Sequence, residues 1–252
     1  MKRNLRIIFA IASLALAALA CQAMTGGGSN TAVPPSNTDI VPVNPDNTDS
    51  PTLPVQPTTQ SSSGNVLLSD DFSSAQWGTG TDSDSAVEYS NEALQFIVFT
   101  KNYFVWSTPN AKDYQNVHME VTVLNNGTDS TTGFGLMCHQ QSSAKSSFYY
   151  LAMTPAGEYA IAKATAEQSD VFLTNNDQWA SSDLITKDAA SYRVGADCDS
   201  NGTLTLYVDG QQIASISDVS YTNGGVAVFA WSGEEATKTD VSFDDFLMVE
   251  LP

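Results

Sequence analysis

Val117-His118-Met119-Glu120-Val121-Thr122-Val123 alternates apolar and polar residues without a break, and its reading decides the fold class. Side chains of an extended strand point to opposite faces in turn. Val117, Met119, Val121 and Val123 therefore share one face, and His118, Glu120 and Thr122 share the other. In a helix the same apolar set would be spread around the circumference, leaving no stripe to bury. The expectation is a strand buried on one side and wet on the other.

The period recurs outward from this run. Phe134, Leu136 and Cys138 fall on one register, and Tyr192, Val194, Ala196 and Cys198 on another. Thirteen such runs lie between Leu67 and Val249, rich in Val, Ile, Phe, Tyr and Thr and broken by Asn-Gly, Asp-Gly and Pro-Ala-Gly turns. That pattern predicts an all-β chain folded as an antiparallel β-sandwich of the jelly-roll kind over residues 66–252. Short helical turns are expected at Ser74 to Trp77 and Ala180 to Ile185. Ser69-Asp70-Asp71-Phe72 opens the domain and Ser242-Phe243-Asp244-Asp245-Phe246 closes it, so the first and last strands should lie side by side.

Residues 1–20 read as a signal peptide. Lys2, Arg3 and Arg6 precede an apolar run from Ile7 to Leu19, too short for the roughly 20 residues of a membrane span. Ala18-Leu19-Ala20-Cys21 resembles the lipobox of bacterial lipoproteins, which implies a diacylglycerol on Cys21 and export to the outer face of a membrane, the membrane being a partner through that anchor. Residues 21–65 are rich in Gly, Ser, Thr, Asn and Pro, with seven prolines between Pro34 and Pro57. Such a segment buries too little apolar surface to offset the entropy of ordering it, and it is expected to be a disordered tether.

Loss of Lys2, Arg3 and Arg6 from a chain of 10 basic and 28 acidic residues moves the formal charge from −18 to −21. Nucleic acid is excluded as a partner, since a polyanion gains nothing from phosphate. A monomer is expected. With Cys21 assigned to lipid, Cys138 and Cys198 remain, both on buried strand faces, and an oxidising compartment favours a disulfide between them.

Asp70-Asp71-Phe72, Phe134-Gly135-Leu136-Met137-Cys138, Gly157-Glu158-Tyr159, Leu204-Thr205-Leu206-Tyr207-Val208-Asp209-Gly210 and Phe243-Asp244-Asp245-Phe246 together resemble the concanavalin A-like lectin/glucanase superfamily. The nearest likeness is to laminin-G-like and 3-keto-disaccharide-hydrolase-like domains of bacterial surface lipoproteins. The resemblance implies a lectin-like sandwich and, as functions, either glycan binding or glycoside cleavage.

A retaining glucanase needs carboxylates about 5 to 5.5 Å apart across one bond. No Glu-x-Asp-x-Glu run occurs, Glu120 stands alone on its strand, and Glu234-Glu235 are adjacent in a loop. Glu120, His118 and Asp197 form the best available polar cluster for a 3-keto-type enzyme. Asp197-Cys198-Asp199-Ser200-Asn201-Gly202 begins like a calcium loop, but Val208 occupies the twelfth position, so it reads as a turn. No Gly-x-Ser-x-Gly elbow and no phosphate loop occurs. No cofactor is required. Asp70, Asp71, Asp244 and Asp245 are candidate ligands for structural calcium.

Sugar binding calls for aromatic rings that stack on pyranose faces, flanked by groups that fix hydroxyls. Strand parity puts His118, Glu120, His139, Arg193, Asp197, Tyr207, Phe229 and Trp231 off the core; the candidate ligand-binding residues are His118, Glu120, His139, Arg193, Asp197, Tyr207 and Trp231, and the specific site requires Glu120, His139, Arg193 and Trp231 to converge on a single groove. The leading expectation is a non-catalytic surface lectin-like module that binds carbohydrate or another extracellular ligand. A glycoside-cleaving enzyme and a structural or adhesive spacer are the alternatives.

Overall fold

The computed structural model describes residues 64–144, 146–233 and 239–252. The signal peptide, Cys21, the tether before Gly64 and Glu234-Glu235 lie outside the described residues.

Among these residues every regular element is a strand, and all pairings are antiparallel. One sheet of nine runs β14 (Gln211–Ser217), β13 (Thr203–Val208), β12 (Ser191–Cys198), β6 (Val117–Asn125), β16 (Thr239–Glu250), β4 (Ala93–Val98), β3 (Ser85–Ser90) and β2 (Gly80–Thr81), with β1 (Val66–Asp70) also paired to β16. A second sheet of seven runs β10 (Val171–Phe172), β9 (Glu158–Ala164), β8 (Phe148–Met153), β7 (Gly133–Gln140), β15 (Gly225–Trp231) and β5 (Phe104–Ser107), with β11 (Ala180–Ser181) also on β9. The expected first-to-last pairing is present, Asp70 facing Phe246 and Val66 facing Val249.

Facing sides of the two sheets form one core. Leu94, Phe96, Met119, Val121 and Val123 meet Phe134, Leu136, Tyr149, Leu151 and Val228, all buried. Removing apolar area from water at roughly 25 cal/mol per Å² is the main force that holds the layers together. Cys138 on β7 and Cys198 on β12 form the expected disulfide, with Cα atoms 6.5 Å apart, so the bond ties one sheet to the other through the core.

The sheets differ on their outer sides. β6 keeps its alternation, with Val117, Met119, Val121 and Val123 buried and the residues between them half-buried. β7 and β8 are buried at every position, because the outer side of the seven-stranded sheet carries a second apolar layer of Met137, Phe148, Tyr150, Ala152, Ala162 and Phe229.

Two bulges interrupt the period. In β16 the register shifts between Asp244 and Leu247, so Phe243 and Phe246 both reach the core, and Asp245 has φ 49°. In the β7–β15 pair it shifts between Gly225 and Ala227, and His139 has φ 52°. An extra residue in one strand re-aims the side chains that follow.

The expected helical turn at Ser74 to Trp77 does not form, and of that at Ala180 to Ile185 only Ser182 to Ile185 makes a turn, closed by the Ile185 N–H to the Ser182 carbonyl at 3.3 Å. Ala180–Ser181 is a strand paired to β9, and Gln76 and Trp77 instead donate their backbone N–H groups to the Tyr89 hydroxyl. The two-residue strands β2, β10 and β11 were too short for a period to announce them.

Candidate functional site

The outer side of the nine-stranded sheet carries a ladder of polar groups. Asp197 lies opposite His118, Arg193 opposite Thr122, and Gly195 opposite both Glu120 and Tyr207. A Cβ on Gly195 would stand 3.2 Å from Tyr207 Cβ, so the glycine leaves room for the tyrosine. His118 Nδ1 is 2.6 Å from Asp197 Oδ1, and its Nε2 is 3.3 Å from Glu120 Oε1. Glu120 Oε2 accepts from Arg193 Nε and Nη2 at 3.3 and 3.2 Å, and Tyr207 donates to Asp197 Oδ2 at 2.7 Å. Arg193 Nη1 donates to Thr122 Oγ1 and to the Asp245 carbonyl in the bulge of β16.

Burial opposes charging of His118, but hydrogen bonds to Asp197 and Glu120 and the charges of both outweigh it and raise its pKa to about 9. The His118 bond first, and then the Arg193 charge, hold Glu120 below the usual carboxylate range against desolvation. All four carboxylate oxygens of Glu120 and Asp197 are thereby engaged within the ladder.

The outer side of the seven-stranded sheet is aromatic. Phe104 and Trp106 on β5, Phe148 and Tyr150 on β8, and Phe229 and Trp231 on β15 are alternate residues, so each pair faces outward together. Phe104 stacks on Phe229 with centroids 4.6 Å apart and planes at 16°. Trp231 lies opposite Gly133 and Phe229 opposite Gly135. A Cβ would stand 3.2 Å from Trp231 Cε3 at Gly133 and 3.2 Å from Phe229 Cε1 at Gly135, so the rings cover bare backbone where a side chain would lift them.

Trp179 completes the wall from the loop after β10. Asn175, Asn176 and Asp177 in that loop all have positive φ, a conformation Asn and Asp tolerate better than other side chains. Asn175 Nδ2 donates to the Trp179 carbonyl at 2.6 Å, and Asp177 Oδ1 accepts from the Phe172 N–H at 2.7 Å. Trp179 meets Phe172 edge-on at 5.7 Å.

Phe104, Tyr150, Phe172, Trp179, Phe229 and Trp231 line a cleft of about 300 Å³ whose polar edge is Asn102, Asp170 and the Tyr150 hydroxyl. The Tyr150 hydroxyl donates to Asp170 Oδ2 at 3.0 Å. Burial, reinforced by the Asp170 charge and hydrogen bond, pushes the Tyr150 pKa far above its ordinary value. Desolvation raises the Asp170 carboxyl, opposed by the bond from Tyr150. The chemistry of the cleft is flat apolar faces with a few hydrogen-bonding groups at the rim.

The expected single groove is therefore two sites on opposite layers. His118, Glu120, Arg193, Asp197 and Tyr207 come together on one sheet, while Trp231 and Phe229 lie on the other. His139 is on neither. The bulge turns it inward to full burial, with Nδ1 and Nε2 each 3.0 Å from a carbonyl, of Tyr221 and Gln115 respectively. Burial lowers its pKa.

The four aspartates lie near one another: Asp70, Asp71 and Asp245 line one pocket, and desolvation first, then the Asp245 and Asp71 charges, raise the Asp244 carboxyl. Asp70 is buried, and its two oxygens accept from the Phe72 N–H and from Trp77 Nε1, both at 2.9 Å. Asp71 is exposed and accepts from the Ser73 N–H, and Asp244 from the Asp245 N–H. Among the described residues no group of three or more His, Cys, Asp or Glu side chains is placed to hold a metal ion.

No family model and no curated protein matches the chain. Solved structures do. A Bacillus subtilis protein of unknown function with a galectin-like fold aligns at TM-score 0.54 and 11% identity over 74% of this chain and 96% of that one. The κ-carrageenase of Pseudoalteromonas carrageenovora, bound to an oligotetrasaccharide of κ-carrageenan, aligns at TM-score 0.51 and 11% identity over 78% and 100%. A Bacteroides ovatus mixed-linkage-glucan enzyme in complex with its G4G4G3G product aligns at TM-score 0.51 and 13% identity over 73% and 100%. The fold is the jelly-roll sandwich that these proteins share.

Proposed function

We propose that this chain is an exported surface lipoprotein whose β-sandwich binds carbohydrate, without cleaving it, in the aromatic cleft of the seven-stranded sheet. One observation carries the reading: Phe104, Tyr150, Phe172, Trp179, Phe229 and Trp231 converge from four strands and a loop on one concave, mostly apolar cleft with a few polar groups at its edge, the usual make-up of a small-ligand site. Pyranose rings present apolar C–H faces that such walls accept. Two of the aligned structures hold oligosaccharides. The basic start, the apolar run and Cys21 support export and lipidation, and the disulfide fits an oxidising compartment.

The glycoside-cleaving alternative finds its polar cluster assembled, but the Glu120 and Asp197 carboxylates are engaged with His118, Arg193 and Tyr207. A substrate would have to share or displace these bonds to use either carboxylate. The ladder is better suited to clamping β6, β12 and β13.

The test is a glycan array followed by calorimetry on the best hit, with a reducing-sugar assay in parallel. Binding that weakens tenfold or more in Trp179→Ala and in Trp231→Ala, with no sugar released, supports the proposal. Released sugar, or binding indifferent to both tryptophans, overturns it.

A further inference from the structure

We infer that the sugar accepted by this cleft carries an ammonium group, as in an oligomer of glucosamine whose amines are not acetylated. The inference rests on the carbohydrate reading and narrows it.

Among the described residues lining the cleft, the charged one is Asp170, and Lys, Arg and His contribute none. Asp170 takes a hydrogen bond from Tyr150 on Oδ2 alone, so Oδ1 is left for a ligand. A carboxylate beside aromatic walls has lost part of its hydration and gains most from a positive partner. Among the described residues none is free nearby. Lys163, opposite Val171 on the neighbouring strand, is committed to Asp218 and Ser220 at 3.0 and 2.9 Å. Lys101 precedes Asn102 but is exposed and does not line the cleft. Asp177, whose charge reaches Tyr150, adds further negative potential.

The walls agree with the edge. The faces of Trp179, Trp231 and the neighbouring phenyl rings carry negative quadrupole potential, which attracts a cation and does nothing for an anion. On a chain of formal charge −18, sulfated, sialylated and uronic sugars meet repulsion at long range and no counter-charge at short range. An acetamido group is neutral and forfeits both attractions.

The experiment is calorimetric titration of the intact protein with three probes: a glucosamine hexamer, its fully N-acetylated counterpart, and tetramethylammonium chloride. Each is measured at about pH 6 and again above the pKa of the sugar amine, on wild type, Asp170→Asn and Trp179→Ala, with circular dichroism to confirm folding. The glucosamine hexamer is expected to bind about tenfold tighter than the acetylated one at the lower pH. That advantage should vanish at the higher pH and in Asp170→Asn, and binding should weaken roughly ten- to a hundredfold in Trp179→Ala.

Equal or tighter binding of the acetylated hexamer, or an unchanged preference in Asp170→Asn, overturns the ammonium inference and leaves the carbohydrate reading standing. Tetramethylammonium binding as tightly as the hexamer transfers the site to small cations and overturns the sugar part. Glucosamine hexamer binding of unchanged affinity in Trp179→Ala is general attraction to an acidic protein and overturns the site. If these and neutral oligosaccharides alike fail to bind, the underlying carbohydrate reading fails.

Discussion

Trp179 and Trp231 lie with their indole rings nearly parallel, centroids 6.2 Å apart and planes at 19°, one from a loop and the other from β15. The arrangement is preorganised by Gly133 beneath Trp231 and by the Asn175 bond to the Trp179 backbone. A ligand stacking there has little side-chain entropy left to remove.

Replacing either indole with alanine should weaken glycan binding by about 1–3 kcal/mol, roughly ten- to a hundredfold, as for other aromatic anchors. Both side chains are half-buried outside the main core, so the melting temperature should fall much less than for a core aromatic such as Phe96. Calorimetry beside thermal melts checks the split between binding and stability.

Two glycines on β7 should behave differently. Gly133→Ala places a Cβ 3.2 Å from one carbon of Trp231, and a tilt of the indole relieves it. A few-fold loss of affinity with near-normal stability is expected. Gly135→Ala would put the Cβ 2.0 Å from the Leu151 carbonyl oxygen on the neighbouring strand, where nothing flexible can yield. That variant should lose several kcal/mol of stability or fail to fold, which denaturant titration reads directly.

The inter-sheet disulfide closes a separation of 60 residues. In the chain-entropy model a loop of that size contributes about 4 kcal/mol. The Cys138→Ala, Cys198→Ala double variant should therefore melt roughly 10 °C lower, and wild type should do the same in reductant. An unchanged melting temperature in both would show that the bond adds nothing.

His118 predicts a pH dependence with a definite sign. Its folded pKa of about 9 lies above the ordinary value of 6.5, so between these limits the folded chain holds a proton the unfolded chain has lost. Its contribution is complete below about pH 6.5 and disappears as pH rises through about 9. Wild type should lose on the order of 1–3 kcal/mol across that window relative to His118→Gln. Urea denaturation of both proteins at each end of the window measures it; a difference that grows with pH would contradict the ladder.

Much of this molecule was legible because strands obey period 2. The 117–123 alternation matches the buried and half-buried faces of β6, and cysteine parity matches the disulfide. The ladder was legible for the same reason, since His118, Glu120, Arg193 and Asp197 sit on regular antiparallel pairs. Parity failed at His139, where a bulge reversed the face, and bulges leave no periodic trace. It also failed to separate two outward faces: Trp231 and Glu120 both point away from the core, but from opposite layers, and strand order is not written in any one strand. The aromatic wall did leave a signal in the aromatic-x-aromatic spacing at 104/106, 148/150 and 229/231. Trp179 left none, because its position depends on a loop conformation.

The central claim is that the ligand site is the aromatic cleft. The chain has four tryptophans, each with an indole N–H that NMR observes separately. Trp77 is an internal control, buried in the main core with Nε1 bonded to Asp70. Titration of the labelled protein with its best-binding oligosaccharide should shift the indole resonances of Trp179 and Trp231 and leave Trp77 in place. Shifts confined to the backbone around Glu120 and Arg193, with Trp179 and Trp231 unmoved, would place the site on the other sheet and contradict the account.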